Sequence, residues 1–301
     1  MLIGLLFRRV VKLGDLDVID HRGKKKNFGD GTGLKVEIQF HDLKTEILTL
    51  FNPKIAVGEA FMDGRLTVNR GSLLDFLMIC MTNIEELEAH PLISKLEGLA
   101  RLGRYIKALN PIRRSRKNVA HHYDLSGELY DLFLDEDRQY SCAYFTSPDQ
   151  SLEQAQLNKK NHVANKLFLN RPDLKVLDIG SGWGGLGLHL AQKAEAEVTG
   201  LTLSSEQYVV SNERAKQTGF EKRVRFHLED YRQAKGNYDR IVSVGMFEHV
   251  GPLHYKTFFE KVRDLLKDDG VMLLHSIGHS NPPGPTNPWI TKYIFPGGYL
   301  P

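Results

Sequence analysis

Cysteine is scarce in this chain: Cys80 and Cys142 are the only two among 301 residues, and no CxxC pair exists. A disulfide framework and a thiolate zinc site are both unsupported, and a reducing compartment fits best. Long apolar runs are missing as well. The longest candidate, Ser72 to Met81, is interrupted by Asp75, far short of the roughly 18 apolar residues that a membrane-spanning helix needs. The opening MLIGLLF has no basic segment before it and runs straight into Arg8 and Arg9, which does not read as a secretory signal. These absences make the cytoplasm the expected location. Charge of one sign is not in large excess either, with 40 Lys+Arg against 37 Asp+Glu. At 41% hydrophobic and 26% charged residues, the composition is that of an ordinary globular protein, neither disordered nor fibrous. One large domain with a smaller companion is expected, because single cores stop growing at roughly 250–300 residues.

The near-neutral balance hides an asymmetry. Residues 1–118 hold 20 basic and 14 acidic side chains, whereas 119–301 hold 20 and 23. No acidic residue occurs between Arg101 and Asn118, a stretch that carries Arg101, Arg104, Lys107, Arg113, Arg114, Arg116 and Lys117. Composition alone leaves two readings open, a solvated linker or a dock for an anionic surface. Leu102, Tyr105, Ile106 and Leu109 among the first of these charges give the makings of an interfacial helix, which favours an anionic membrane surface as partner.

Residues 1–100 mix short alternating runs, such as Leu34 to His41, with turn signals at Gly29-Asp30-Gly31 and Met62-Asp63-Gly64, then a helical stretch from Ser72 to about Met81. This predicts a small α+β domain over 1–100 and a basic linker over 101–118, the break being marked by Asn110-Pro111. From Leu174 the pattern changes to strict alternation. Strands are expected at Leu174–Gly180, Ala196–Ser204, Val224–Asp230, Tyr238–Gly245 and Gly270–Gly278, with helices over Leu186–Lys193, Ser205–Thr218 and about His254–Leu266 between them. Five strands separated by helices predict an α/β fold with a doubly wound, Rossmann-like parallel sheet and ligands at the carboxyl ends of its strands.

The first strand opens into Asp178-Ile-Gly180-Ser-Gly182-Trp-Gly184-Gly185, where glycines let the backbone turn sharply and approach a ligand closely. Alone this satisfies a dinucleotide fingerprint, but the carboxylate expected about 20 residues on is replaced by Leu201-Thr202-Leu203-Ser204. With Asp178 two residues before the first glycine, the turn resembles the first motif of class I S-adenosylmethionine (SAM) methyltransferases. In that reading Gly180, Gly182 and Gly184 cradle the cofactor, and Thr202, Ser204 and Gln207 offer neutral groups to the ribose hydroxyls. Asp230 accepts from the adenine amino group and Tyr231 stacks on the base. Ser204 also reads as a plain helix N-cap.

Further stretches lie outside a general SAM fold: HHYDLSGELYDLFLD (His121 to Asp135), YSCAYF (Tyr140 to Phe145), GMFEHVG (Gly245 to Gly251), LLHSIG (Leu273 to Gly278) and WITKYIFPGG (Trp289 to Gly298). Together with LDIGSGWGG and GEAFMDG (Gly58 to Gly64), they resemble the cyclopropane-fatty-acyl-phospholipid synthase family, over nearly the whole chain. The resemblance implies a SAM-dependent enzyme that adds a methylene bridge across a cis double bond in an unsaturated acyl chain of a membrane phospholipid. It further implies a bound bicarbonate as general base, held by the backbone at Cys142 and by Glu248 and His275, with a fourth ligand, a tyrosine, beyond Pro301. Tyr140 and Ser141 join the expected cofactor residues, and a homodimer is open as the assembly.

That chemistry suits these residue types. An alkene needs no deprotonation before it attacks a sulfonium methyl, so it has only to be held in line and out of water. The resulting carbocation must then lose a proton, which calls for a base late in the reaction. Aromatic faces such as Tyr123, Tyr144, Phe145 and Phe247 can stabilise a cation without reacting with it. A metal is not expected, since adjacent His121 and His122 diverge on a helix. The methyltransferase domain is assigned to 119–301, and because the chain stops soon after the fifth strand it reads as the front part of a longer protein. Rival readings are a fatty-acyl C-methyltransferase, a catalytically incomplete SAM- or lipid-binding fragment, and an RNA methyltransferase. Against the last, and against any nucleic-acid partner, the fourth strand ends in Gly-Met-Phe-Glu-His and not in the Asn-Pro-Pro-Tyr type of many base methyltransferases.

Overall fold

A computed structural model describes residues 1, 3–88, 127–278, 286–295 and 298–299. The basic segment 101–118 and Tyr123, His121 and His122 lie outside the described residues. The chain divides into two compact units, Met1–Ile106 with Asn287–Ile290, and Lys107–Thr286 with Thr291–Pro301.

The first unit begins with α1 (Gly4–Val10), followed by β1 (Asp15–Ile19), β2 (Lys25–Phe28) and β3 (Lys35–Phe40). Next come α2 (Leu43–Phe51), α3 (Pro53–Met62), β4 (Leu66–Arg70), α4 (Leu73–Thr82) and α5 (Ile84–Glu88). The strands form one mixed sheet in the order β2-β1-β3-β4, parallel only between β1 and β3. In β3 the alternation of Val36, Ile38 and Phe40, each fully buried, with half-buried partners turns one face into a core shared with Leu16, Val18, Leu66 and Phe76. Helix α4 starts where its sequence signals it, with a capping box between Ser72 and Asp75.

In the second unit, α6 (Gly127–Asp131) and α7 (Leu152–Lys166) precede a five-stranded sheet. Its elements are β5 (Lys175–Ile179), α8 (Gly185–Ala194), β6 (Glu197–Thr202), α9 (Ser205–Gln217), β7 (Val224–Leu228), β8 (Tyr238–Val244), α10 (Tyr255–Leu265) and β9 (Leu266–His275). The order is β7-β6-β5-β8-β9 and every pairing is parallel. The chain winds outward from β5 in both directions, so a switch point lies between β5 and β8, and a crevice opens there at the carboxyl ends of the strands. Central β5 is buried on both faces through Val176, Leu177, Asp178 and Ile179. The last strand starts at Leu266, four residues before its expected start, because Leu266 pairs with Tyr238 ahead of a register shift. Helix α7 has no counterpart among the sequence expectations. Its sequence, LEQAQLNKKNHVANK, is mostly polar, yet Ser151 caps it and Ala155, Gln156, Lys159 and Val163 form a buried stripe at helical spacing.

Candidate active site

Past β5 the backbone turns through three glycines with positive φ, Gly180 (+86°), Gly182 (+54°) and Gly184 (+85°), each for a different reason. A Cβ on Gly180 would stand 2.7 Å from the Met246 side chain, and one on Gly184 would stand 2.7 Å from the Phe226 ring and 2.9 Å from Ser211. A Cβ on Gly182 would meet nothing within 4 Å. Gly184 thus serves helix-on-sheet packing and does not line the cavity, whereas Gly180 and Gly182 do. The cavity continues over Leu201, Thr202 and Gln207 after β6, Glu229 to Arg232 after β7, and Val244 to Met246 after β8. Arg138 to Ser141 and Lys159 line it from the segments before the sheet.

Asp178 is 2% exposed and its Oδ2 has no hydrogen-bond partner. Burial pushes its carboxyl up to about 7, and the nearby Lys159 ammonium only partly opposes this. Two further buried polar atoms of the turn, Ser181 Oγ and Trp183 Nε1, also lack partners. Lys159, 5% exposed, donates to Gln139 Oε1 and Ser141 Oγ, both at 2.8 Å, and burial lowers its pKa to about 8. One helical turn earlier, Gln156 Nε2 donates to the carbonyls of Gln139 and Ser141, so α7 fixes Tyr140 and Ser141 along the cavity wall.

At the ends of β6 and β7 several of the expected polar groups are already engaged within the fold. Thr202 Oγ1 donates to Gln207 Oε1 at 2.8 Å, and both residues line the cavity. Ser204 is fully buried and accepts from the Gln207 N–H as the N-cap of α9; it does not line the cavity, so its polar atom is committed to the helix end. The Asp230 carboxylate is taken by Arg232, whose Nε and Nη2 donate at 2.8 and 2.7 Å while the Arg232 backbone N–H donates at 3.0 Å. An adenine amino group would therefore meet Asp230 as one half of a neutralised pair, beside the half-buried Glu229. Tyr231 lines the cavity and packs edge-on against Phe258 at 5.3 Å.

A second polar cluster sits beyond β8 and β9. The register aligns Val244 with His275, which brings the segment ending in Glu248 beside the end of β9. Glu248 is 3% exposed, and its Oε1 accepts from the Ile277 N–H at 2.6 Å. Glu248 Oε2, His275 Nδ1 and Tyr255 Oη are buried without partners. Tyr255 is pushed up to about 12, by burial first and then by the Tyr299 and Glu248 charges. A Cβ on Gly245 would lie 3.5 Å from Ser141 Cβ, so the segment carrying Cys142 runs past the same strand end. Cys142 itself is exposed and takes no part in the core. Phe247 is not an open aromatic face: it is 6% exposed and stacks on Tyr255 at 4.4 Å, edge-on to Phe258 at 5.1 Å. Tyr144 stacks on His162 at 4.7 Å. Lys159 and Tyr255 are the additions to the expected set. A lysine inside the buried stripe of α7 was the available signal for the first, and nothing local marked the second.

The family model for mycolic acid cyclopropane synthetase matches residues 111–301. The chain belongs to that family. Among curated relatives, the cyclopropane-fatty-acyl-phospholipid synthase of Escherichia coli (strain K12) is 40% identical over 82% of this chain and 62% of its own length. A probable fatty acid methyltransferase of Pseudomonas putida is 35% identical over 81% of this chain and 61% of its own. The chain thus spans about three fifths of the length of these family members. A crystal structure of a mycolic acid cyclopropane synthase complexed with SAH and CTAB superposes with a TM-score of 0.58 at 38% identity, covering 62% of this chain and 70% of that one. The fold is the class I SAM methyltransferase fold.

Proposed function

We propose that the chain binds SAM in the cavity at the ends of β5, β6, β7 and β8, and transfers a methylene group to a cis double bond of an unsaturated phospholipid acyl chain, closing a cyclopropane ring. The observation that carries the reading is that the open Gly-rich turn lining the cavity lies at the same carboxyl edge of the sheet as buried Glu248 and half-buried His275, which stand past the cavity lining. Identity to the E. coli synthase supports the reaction class, and the SAH-bound neighbour supports the cofactor.

The residues fit the cofactor. Gly182 leaves open space where a side chain would stand, and Asp178 Oδ2, Ser181 Oγ and Trp183 Nε1 are buried polar atoms awaiting partners. SAM, when bound, supplies an electrophilic methyl on a sulfonium. The chain's task is then to orient, exclude water and manage one proton. Thr202 and Gln207 present hydroxyl and amide groups toward the ribose, and Tyr231 an aromatic surface toward the base. The backbone N–H of Ile277 fixes the Glu248 carboxylate, leaving Oε2 to accept a hydrogen bond from a small acid. Glu248, His275 and the backbone at Cys142 would hold bicarbonate, whose chemistry there is that of a general base. Tyr255 Oη adds a donor to the same cluster.

A fatty-acyl C-methyltransferase is the second reading, favoured by the identity to the P. putida protein. The anionic membrane surface belongs to the proposal through Arg101–Asn118, and no described helix is long and apolar enough to cross a membrane. The test is incubation of the purified chain with SAM and vesicles of an unsaturated phospholipid, read by proton NMR. Upfield cyclopropane signals that grow as olefinic signals fall support ring formation. Methyl signals with olefin retained support the second reading, and release of SAH without lipid change refutes both.

A further inference from the structure

Lys159 is a buried ammonium without a counter-ion. It is 5% exposed, its Nζ donates to two neutral acceptors, Gln139 Oε1 and Ser141 Oγ, and it forms no ion pair among the described residues. An ammonium has three donors, so one remains, on a residue that lines the cavity. The other buried cation, Arg240, differs: its guanidinium is engaged by the carbonyls of Leu167, Phe168 and Asp239. Burying a charge is costly unless an opposite charge meets it. Asp135 and Asp137 act on Lys159 through space without pairing with it, Asp137 being held by Lys160 and Arg214, and a group entering the cavity can meet the ammonium directly.

The place of Lys159 along the cavity says which part of the cofactor it meets. Its partner Ser141 lies beside Gly245 at the end of β8, and Asp178, which feels its charge, is on β5. The aromatic surface suited to a purine, Tyr231, is after β7, two strands from β5 on the other side. A ligand spanning the edge with its base at β7 puts its amino-acid end at β5 and β8. That end is a zwitterion; of the cations lining the cavity Arg138 is paired with Asp131 and Arg232 with Asp230, which leaves Lys159, with Asp178 as the acid beside it on β5.

Resting on the SAM-binding reading above, we infer that Lys159 is the recognition residue for the cofactor's α-carboxylate, pairing with it through its remaining donor while Ser141 and Gln139 hold the ammonium in place. This residue then distinguishes cofactors that carry an amino-acid carboxylate from adenosine thioethers that lack it.

Calorimetric titration of the intact chain with SAH, and with the SAH analogue lacking the carboxylate, tests this without turnover. The parent should bind SAH about 10- to 100-fold more tightly than the analogue, the range for a hydrogen-bonded charged group. Lys159→Met should lose that factor for SAH, bind the analogue like the parent, and so erase the preference. If the variant does not fold, the parent's two affinities still decide: equal affinities overturn the inference. A variant that weakens both ligands equally makes Lys159 scaffolding for Ser141 and also overturns it, as does an unchanged SAH affinity. A parent that binds neither ligand overturns the SAM-binding reading and the inference with it.

Discussion

The orphan carboxyl at the end of β5 yields a prediction in which function opposes stability. Asp178 is raised from 3.8 to about 7 by burial. A raised folded-state pKa means that the folded protein keeps a proton the unfolded chain releases. Stability therefore falls as pH climbs from about 4 to about 7 and stays low above that window. At 1.36 kcal/mol for each tenfold change in proton affinity, this raise sets a ceiling of about 4 kcal/mol on the penalty at pH 8, and water entering the cavity lowers it. Asp178→Asn removes the ionisation and keeps the size. In SAM-free protein, the variant's stability relative to the parent should rise by about 2–3 kcal/mol between pH 5 and pH 8. Urea unfolding at the two pH values, with m unchanged, measures this difference. Comparing the two proteins across pH cancels the amide's own packing cost and every titrating group that does not interact with Asp178, so the difference reports Asp178 together with its neighbour Lys159. An advantage that does not change between pH 5 and pH 8 would refute the reasoning, because Asp178 would then already be compensated in the free protein.

Other outcomes follow from the same geometry. Gly182→Val should abolish SAH binding by calorimetry while costing the fold only about 1–2 kcal/mol, since the left-handed φ of +54° is strained for a side chain but the space is open. Undiminished binding would remove the turn from the cofactor site. Glu248→Gln can still accept from the Ile277 N–H through its carbonyl, so the protein should fold, and kcat should fall by about 10²-fold or more with little change in KM for SAM. Added bicarbonate should stimulate the parent and not the variant. Reversing Arg113, Arg114 and Arg116 to Glu should weaken co-sedimentation with anionic vesicles by at least about 10²-fold at low salt, the loss of three basic residues at roughly 1 kcal/mol each, with SAH affinity intact. Equal pelleting would make the segment a solvated linker.

The sheet was legible because β5 and β8 and the second half of β9 are short apolar runs bounded by turn residues, with helices between the strands, while the polar start of β9, Lys267 to Asp269, concealed where that strand begins. Helix α7 was hidden because only five of its residues are buried and two of them, Gln156 and Lys159, are polar. Its role depends on contacts made across the fold, to Gln139 and Ser141, which no local pattern encodes. Asp230 shows the converse. Its place at a strand end was visible, but its engagement by Arg232, two residues on, depends on the rotamer that the folded turn imposes. Phe247 illustrates the same limit: residue type and position suggested an open aromatic face, while packing stacks it on Tyr255 and against Phe258; Ser204 takes the helix-cap role its position also signalled.

The central claim is that the chain transfers a methyl group to a double bond and that one proton of that same methyl is then removed beside Glu248 and His275. SAM carrying a fully deuterated methyl group tests it most directly, with the lipid product analysed by mass spectrometry and NMR. Ring closure retains two deuterons in a saturated cyclopropane methylene. A product that keeps all three deuterons in a methyl group would contradict the account, because the proton would then have left from the acyl chain.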